Sequence, residues 1–257
     1  MLKLGIVGIC GRMGHAILEC CQGLEGVKVV CGINKIDDSK LTNFQGEIKD
    51  KVEDLSIVPD VLVDFSRPDC TMSLLDYAVK NKVKLVIGTT GFDAKQKETI
   101  VKAASKTAIV QAANFSVGIN VLLNLIEKTS AIMADADIEI VEAHHRYKVD
   151  APSGTALAMG EAAATGRGVH LSDVMVAGRN GVTGERQYGT IGFSSIRGGD
   201  IVGEHHAMFC CDGERIDLSH FASSRLNFAR GAIRAVIWIN DKTSGFYAMS
   251  DVLGLTK

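Results

Sequence analysis

An α/β protein is predicted, built in two parts. A parallel-sheet domain comes first, and an α+β domain with a mostly antiparallel sheet follows. Three observations predict this. Strand, glycine-rich turn, helix and strand succeed one another over residues 2–33. Three later strands each run into a loop of small or hydroxyl-bearing residues. Beyond residue 133 the strand–helix alternation gives way to successive strands with a hairpin signal, the pattern of an α+β domain.

Residues 2–7 form a short apolar run, and Gly8-Ile9-Cys10-Gly11-Arg12-Met13-Gly14 follows at once. A helix is expected over 12–22 and a second strand over 27–33. In this context the glycines permit a tight turn and a close backbone approach to a pyrophosphate, and the helix start supplies partial positive charge. The spacing is G-x-x-G-x-x-G, with Cys10 where the stricter dinucleotide fingerprint has a glycine. The second strand runs into Asn34 and Lys35. An acid there would hold the ribose of NAD, and a cation can meet the 2′-phosphate of NADP. Asn34 can still bond a ribose and Lys35 can meet a phosphate, so either cofactor is permitted. Asp37 and Asp38 read as solvated loop acids.

Residues 60–65 are the next strand, ended by Ser66-Arg67-Pro68, and 69–80 read as a helix. Residues 83–87 are a strand entering Gly88-Thr89-Thr90-Gly91. A helix over 93–105 begins with Asp93 as cap, and 108–111 is a strand entering Ala112-Ala113-Asn114-Phe115-Ser116. In an open parallel sheet ligands bind at these carboxyl ends, so the loops together point to a nucleotide crevice. The long amphipathic stretch 117–133 leaves the first domain. Strands then read at 138–143, 190–196 and 201–211, with Asp212-Gly213 turning into 214–220. A helix over 224–239 and a short element over 248–253 close the chain. The expected division is 1–116 with 225–257 as the dinucleotide domain, and 117–224 as the second.

The totals narrow the function classes. A chain of 257 residues has room for one large or two modest domains. With 46% hydrophobic and 23% charged residues its composition is that of a soluble globular protein. A net charge of −2 argues against a dominant nucleic-acid surface. No apolar run approaches the ~20 residues that span a bilayer. The opening M-L-K-L-G-I-V-G enters a strand directly, without the charged and apolar regions of a signal peptide, so a cytoplasmic protein is expected. Seven cysteines, an odd number without a C-x-x-C, read as reduced thiols.

The densest chemistry lies at residues 142–156, E-A-H-H-R-Y-K-V-D-A-P-S-G-T-A. His144 and His145 fall at or just beyond a strand end, where successive side chains point to opposite sides unless the chain turns. Ser153 is an N-cap for the helix expected over 155–164, whose free N–H groups would bind a carboxylate. Imidazole, ammonium from Lys148 and an anion-seeking helix start together point to a small acidic substrate that is protonated during reaction. A rival reading groups Glu142, His144, His145, His205 and His206 as a zinc site, but no H-E-x-x-H motif is present. His205 and His206 read as strand residues, one facing in and one out. Arg225 and Arg230 could bind acid groups or neighbouring helices.

The segments G8-I-C-G-R-M-G14, G88-T-T-G91, A112-A-N-F-S-V-G118, the whole run 142–156, I196-R-G-G-D-I-V-G-E-H205 and A222-S-S-R225 closely resemble the 4-hydroxy-tetrahydrodipicolinate reductase (dihydrodipicolinate reductase) family. The resemblance spans essentially the whole chain. It implies a Rossmann-like domain plus a sheet domain that binds substrate and builds a homotetramer. It also implies reduction of a cyclic dicarboxylate by NADH or NADPH in lysine and diaminopimelate biosynthesis. By motif position His144 would donate the proton and Lys148 would be the second catalytic cation. His145, Gly154 and Thr155 would hold the substrate carboxylates. Gly8, Ile9, Cys10, Gly11, Arg12, Met13, Asn34, Lys35, Gly88, Thr89, Thr90, Ala112, Ala113, Asn114 and Phe115 would line the cofactor, and no metal is expected. Many members carry an acid where Asn34 stands, which counts against strict NADH preference. A site split between two domains implies hinge closure. Two other classes stay open: another NAD(P)-dependent reductase of a small dicarboxylate, and a cofactor-binding module without turnover.

Overall fold

The structure is a computed structural model and describes residues 1–35, 44–224 and 226–255. In chain order the elements are β1 (Leu2–Val7), α1 (Arg12–Cys21), β2 (Val27–Ile33), β3 (Glu47–Lys49), β4 (Val61–Asp64), α2 (Pro68–Asn81), β5 (Lys84–Ile87), α3 (Ala94–Ala104) and β6 (Ala108–Gln111). There follow α4 (Val117–Ile132), β7 (Asp137–His144), α5 (Gly154–Arg167), α6 (Leu171–Val174), β8 (Met175–Ala177), β9 (Ile191–Arg197), β10 (Gly203–Cys211) and β11 (Glu214–Ala222). The chain closes with α7 (Leu226–Ile239), β12 (Gly245–Tyr247) and α8 (Met249–Leu253). Two compact units result, Met1–Val117 with Arg225–Lys257, and Gly118–Ser224.

In the first unit seven strands lie in the order β12-β6-β5-β4-β1-β2-β3, all joined in parallel. Both faces of such a sheet must be covered, so its strands read as nearly unbroken apolar runs. Successive side chains serve opposite faces. Leu4, Ile6 and Val63 pack with Ile17 of α1 and Val236 and Ile239 of α7. Val7, Leu62 and Leu85 pack with Leu74 of α2 and Ile100 of α3. Helix α3 starts where expected: the Asp93 carboxylate accepts from the Gln96 N–H at 2.8 Å, and the Gln96 amide oxygen accepts from the Asp93 N–H at 3.0 Å. That reciprocal cap satisfies two donors the helix start would otherwise leave open.

The registers align the strand ends. Val7 lies opposite Ile33 and Asp64, Asp64 opposite Ile87, and Ile87 opposite Gln111. The loops that follow β1, β2, β4, β5 and β6 therefore leave one edge of the sheet. The strand order reverses beside β1, which lies between β2 and β4, and a ligand crevice forms at such a point.

The second unit holds a five-stranded sheet, β11-β10-β7-β9-β8. The β10–β11 and β7–β10 joins are antiparallel, as expected from the hairpin signal. The β7–β9 and β8–β9 joins are parallel, so the sheet is evenly mixed. Two long connections allow this: α5 and α6 lie between β7 and β8, and residues 178–190 between β8 and β9, each long enough for the chain to return in the direction it left. One sheet face carries Ile138, Ile140, Phe193, Ala207 and Phe209 into a core with Ile119, Leu122 and Ile126 of α4 and Met159 and Ala163 of α5. Fully burying each large aliphatic side chain contributes about 2 kcal/mol.

Candidate active site

The nucleotide edge of the first unit is built from its backbone. Gly8 sits at φ +75°, a left-handed conformation, and a Cβ there would stand 2.9 Å from the Phe65 carbonyl oxygen. Only glycine makes this turn without strain. Gly11 caps α1 without a side-chain hydrogen bond, and no acidic residue lies in the first turn. The helix start thus keeps its positive end for an anion, which is what a pyrophosphate needs. Asn34 braces the turn: its Oδ1 accepts from the Cys10 N–H at 3.3 Å, and its Nδ2 donates to the Lys35 carbonyl at 3.0 Å. Lys35 is exposed beside it. Asp37, Asp38 and Arg225 lie outside the described residues.

The other loops at this edge are tied by Asp64. Its buried carboxylate accepts from the Ser66 hydroxyl at 2.5 Å and from the Thr71 hydroxyl, and Thr89 Oγ1 accepts from the Ser66 N–H at 2.9 Å. Burial pushes the Asp64 carboxyl up, against the pull of these hydrogen bonds. Gly88 lies over the Phe65 ring, where any side chain would collide. Thr90 and Ala113 are exposed, Met13, Ala112 and Asn114 are half-buried, and Gly11 and Arg12 are exposed at the start of α1. Two residues of the predicted set turn inward. Ile9 is fully buried against Gly32, and Phe115 is buried with its ring edge-on to Phe65, centroids 5.5 Å apart. Both can offer a ligand only backbone groups.

In the second unit the core face of β7 continues beyond Ile138 and Ile140 as Glu142 and His144, because alternate residues share a face. His144 ends the strand, and the chain turns at Arg146-Tyr147. The His144 Nδ1 lies 2.6 Å from Glu142 Oε2. Glu142 is 1% exposed, yet it also accepts from both Arg197 nitrogens, at 2.7 and 2.8 Å, and from the Ser153 N–H at 3.1 Å. Burial opposes its charge, but hydrogen bonds from Arg197, His144 and Ser195 outweigh burial and hold the carboxyl down to about 2. An ionised Glu142 can only accept, so Nδ1 carries a hydrogen and Nε2 is the nitrogen left for chemistry. Nε2 makes no hydrogen bond among the described residues.

His205 stands edge-on to His144, centroids 5.1 Å apart. It is 4% exposed, and burial together with the neighbouring His144 brings it down to about 4, so it is neutral at physiological pH. Its Nε2 lies 3.3 Å from Ser153 Oγ, which accepts from the Ala156 N–H at 3.2 Å and caps α5. His206, next in the strand, faces the other way and meets Ser219. The Lys148 ammonium is paired with both Asp150 oxygens, at 2.8 and 2.9 Å. The Asp150 carbonyl in turn accepts from Arg197 at 2.6 Å. Gly154 and Thr155 open α5, and Gly154 has open space where a side chain would be. The His145 Nδ1 is buried without a hydrogen-bond partner among the described residues. No group of histidines, cysteines and carboxylates able to hold a metal is found among the described residues.

The pieces that sequence reasoning placed together, His144, His145, Lys148 and the start of α5, do share one end of this sheet. Sequence reasoning weighs Glu142 and His205 only as metal ligands and does not place Arg197 in the site. Glu142 left a signal, since it lies two residues before His144 on the same strand. Arg197 left none, because only the β7–β9 register sets it opposite His144.

A parallel sheet with a glycine turn at its switch point, joined to a unit carrying an imidazole, a lysine and a serine-capped helix start, defines a dinucleotide-dependent oxidoreductase of a small acid. Comparison makes this particular. Residues 2–115 match the dihydrodipicolinate reductase N-terminus and residues 118–253 the C-terminus, so the chain belongs to the dihydrodipicolinate reductase family. It is an NAD(P)H-dependent oxidoreductase of lysine biosynthesis that reduces 4-hydroxy-tetrahydrodipicolinate to tetrahydrodipicolinate. Among solved structures it resembles the dipicolinate-bound dihydrodipicolinate reductase of Paenisporosarcina sp. TG-14, with 24% identity, 96% of this chain and 97% of that one covered, and a TM-score of 0.82. A myo-inositol dehydrogenase of Corynebacterium glutamicum is more distant, at 14% identity, 95% and 90% coverage and a TM-score of 0.59. An aspartate dehydrogenase of Thermotoga maritima stands at 12% identity, 94% and 98% coverage and a TM-score of 0.51. At these identities the likenesses are of fold.

Proposed function

We propose that His144 is the proton donor of this reduction, with Lys148 as the second cation and the start of α5 as the carboxylate site. The observation that carries the reading is the 2.6 Å contact between His144 Nδ1 and an ionised, buried Glu142. A protonated His144 holds hydrogens on both nitrogens. When Nε2 gives up its hydrogen the ring is left neutral, still bonded to Glu142 through Nδ1, so nothing has to reorganise. The bound reduced nicotinamide supplies the hydride. Hydride addition leaves negative charge on the substrate, and a poised imidazole quenches it.

The substrate carries two carboxylates. Gly154 and Thr155, as the first residues of α5, present N–H groups to one of them. The orphaned Nδ1 of His145 is a second polar contact on the same segment. The Paenisporosarcina relative is bound to dipicolinate, a dicarboxylate, which supports this choice of ligand class. Lys148 would exchange its Asp150 partner for the substrate, placing its charge near the ring nitrogen. In the other unit, Gly8 to Met13, Asn34, Lys35, Gly88 to Thr90 and Ala112 to Phe115 would line the dinucleotide, with Ile9 and Phe115 contributing backbone.

A homotetramer built through the Gly118–Ser224 unit is part of the same reading. Ile216 and Phe221 on the edge strand β11 are 42% and 62% exposed, apolar area that a second copy would cover. A cytoplasmic location fits the seven free cysteines, and no helix among the described residues is long and apolar enough to cross a membrane. The test is an assay following loss of nicotinamide absorbance, with NADH and NADPH in turn, on the cyclic product of the synthase that precedes this enzyme. Turnover with that substrate and none with unrelated small dicarboxylates is expected. Silence with it would remove the assignment.

A further inference from the structure

We propose that Glu142 is the positioning residue of the active site, setting the imidazole of His144 and the start of α5 from one carboxylate. The proposal rests on the reading of His144 as proton donor. Four residues from three parts of the chain converge on Glu142. Its Oε2 takes the His144 Nδ1 hydrogen at 2.6 Å and one Arg197 nitrogen at 2.8 Å. Its Oε1 takes the other Arg197 nitrogen at 2.7 Å and the Ser153 N–H at 3.1 Å. Ser195, its partner on β9, completes the shell.

Each bond has a separate consequence. The one to His144 selects the nitrogen that faces the substrate and fixes the ring about its bond to the backbone. The one to Ser153 ties down the cap of α5, so the N–H groups presented to the carboxylate keep a fixed distance from the imidazole. The pair with Arg197 reaches further, since Arg197 also holds the Asp150 carbonyl at 2.6 Å, in the turn that carries Lys148. Donor, anion site and second cation are thus referred to one buried side chain. Reactions of this kind depend on such placement to a fraction of an ångström.

The charge on Glu142 matters as well as its shape. The groups facing His144 are Glu142 on its own strand, Arg197 opposite it on β9, and the neutral His205 from β10. With a neutral amide at 142, the imidazolium would face the Arg197 guanidinium without the intervening negative charge. The two cationic groups would then stand on neighbouring strands with no carboxylate between them. Activity that needs a protonated donor would then be lost at lower pH than in the parent enzyme.

The experiment is a cycle of Glu142→Gln, His144→Gln and the double variant, each read as kcat and KM across pH in the intact enzyme. NADH binding and thermal melting serve as controls for folding. Glu142→Gln is expected to lower kcat by about 100-fold, with the alkaline limb moved to lower pH, to raise KM for the substrate, and to bind NADH normally. In the His144→Gln background the same change is expected to lower kcat by less than about tenfold, because the bond to the imidazole is already gone while those to Ser153 and Arg197 are not. Glu142→Asp keeps the charge and draws it back by one methylene. It is expected to lose kcat while keeping the parent limb, and it serves if the amide does not fold. Full kcat and an unmoved limb in Glu142→Gln, or full kcat in Glu142→Asp, would overturn the proposal. So would an equal loss with and without His144, which marks a merely structural role. Near-parent kcat in His144→Gln alone would instead remove the proton-donor reading beneath it.

Discussion

His144 and Glu142 stand two residues apart on one strand, with 2.6 Å between Nδ1 and Oε2. The sheet face that is apolar at Ile138 and Ile140 becomes polar at these two positions. The site begins where the core of the second unit ends. A buried carboxylate is costly unless its bonds are satisfied, and here Arg197, Ser153, Ser195 and His144 satisfy it.

The first prediction concerns acid stability. His205 is held down to about 4 from an ordinary 6.5. The unfolded chain takes up a proton at His205 before the folded one does. The contribution is therefore fully present above the ordinary value and is lost as pH falls from 6.5 towards 4. The loss is about 3 kcal/mol. Urea unfolding at stepped pH across that window should show it, and His205→Asn should flatten the slope. An unchanged slope would contradict the buried, neutral imidazole.

The second concerns Gly203. A Cβ there would stand 3.2 Å from the His144 Nε2 and 3.7 Å from the His205 ring. Gly203→Ala should push the His144 ring and lower kcat by about tenfold, with little change in Tm. A variant with parent kcat would mean that this nitrogen is not the reacting one.

The third concerns Lys148. Its partner Asp150 is 53% exposed, so breaking the pair should barely change stability. Lys148→Met is expected to lower kcat by about 100-fold with Tm nearly unmoved. A large drop in Tm with normal turnover per folded enzyme would reassign the lysine to structure.

The fourth concerns cofactor choice. Lys35 is exposed beside Asn34, whose amide is occupied in bracing the glycine turn. Lys35→Ala should raise KM for NADPH more than for NADH, because only the former carries the 2′-phosphate. Equal effects on the two would refute that contact.

Much of this was legible in the residues and some was not. Gly8, the helix start at Arg12 and the loops after β4, β5 and β6 follow from local pattern, since a glycine turn between strand and helix has few other forms. The cap at Ser153 and the hairpin at Asp212-Gly213 are equally local. The three-residue strands β3, β8 and β12 were not foreseen, because three residues are too few to show a period and each lies at a sheet edge. The parallel half of the second sheet is hidden for a topological reason, the long connections through α5 and through residues 178–190. Arg197 was invisible for the same reason: its place beside Glu142 comes from pairing between distant strands.

The proton-donor role of His144 is tested most directly by His144→Gln, assayed for steady-state turnover with saturating NADH or NADPH and 4-hydroxy-tetrahydrodipicolinate. The account predicts a loss of kcat of about 100-fold or more, with nucleotide binding intact and substrate KM little changed. A variant that turns over within about threefold of the parent would contradict it.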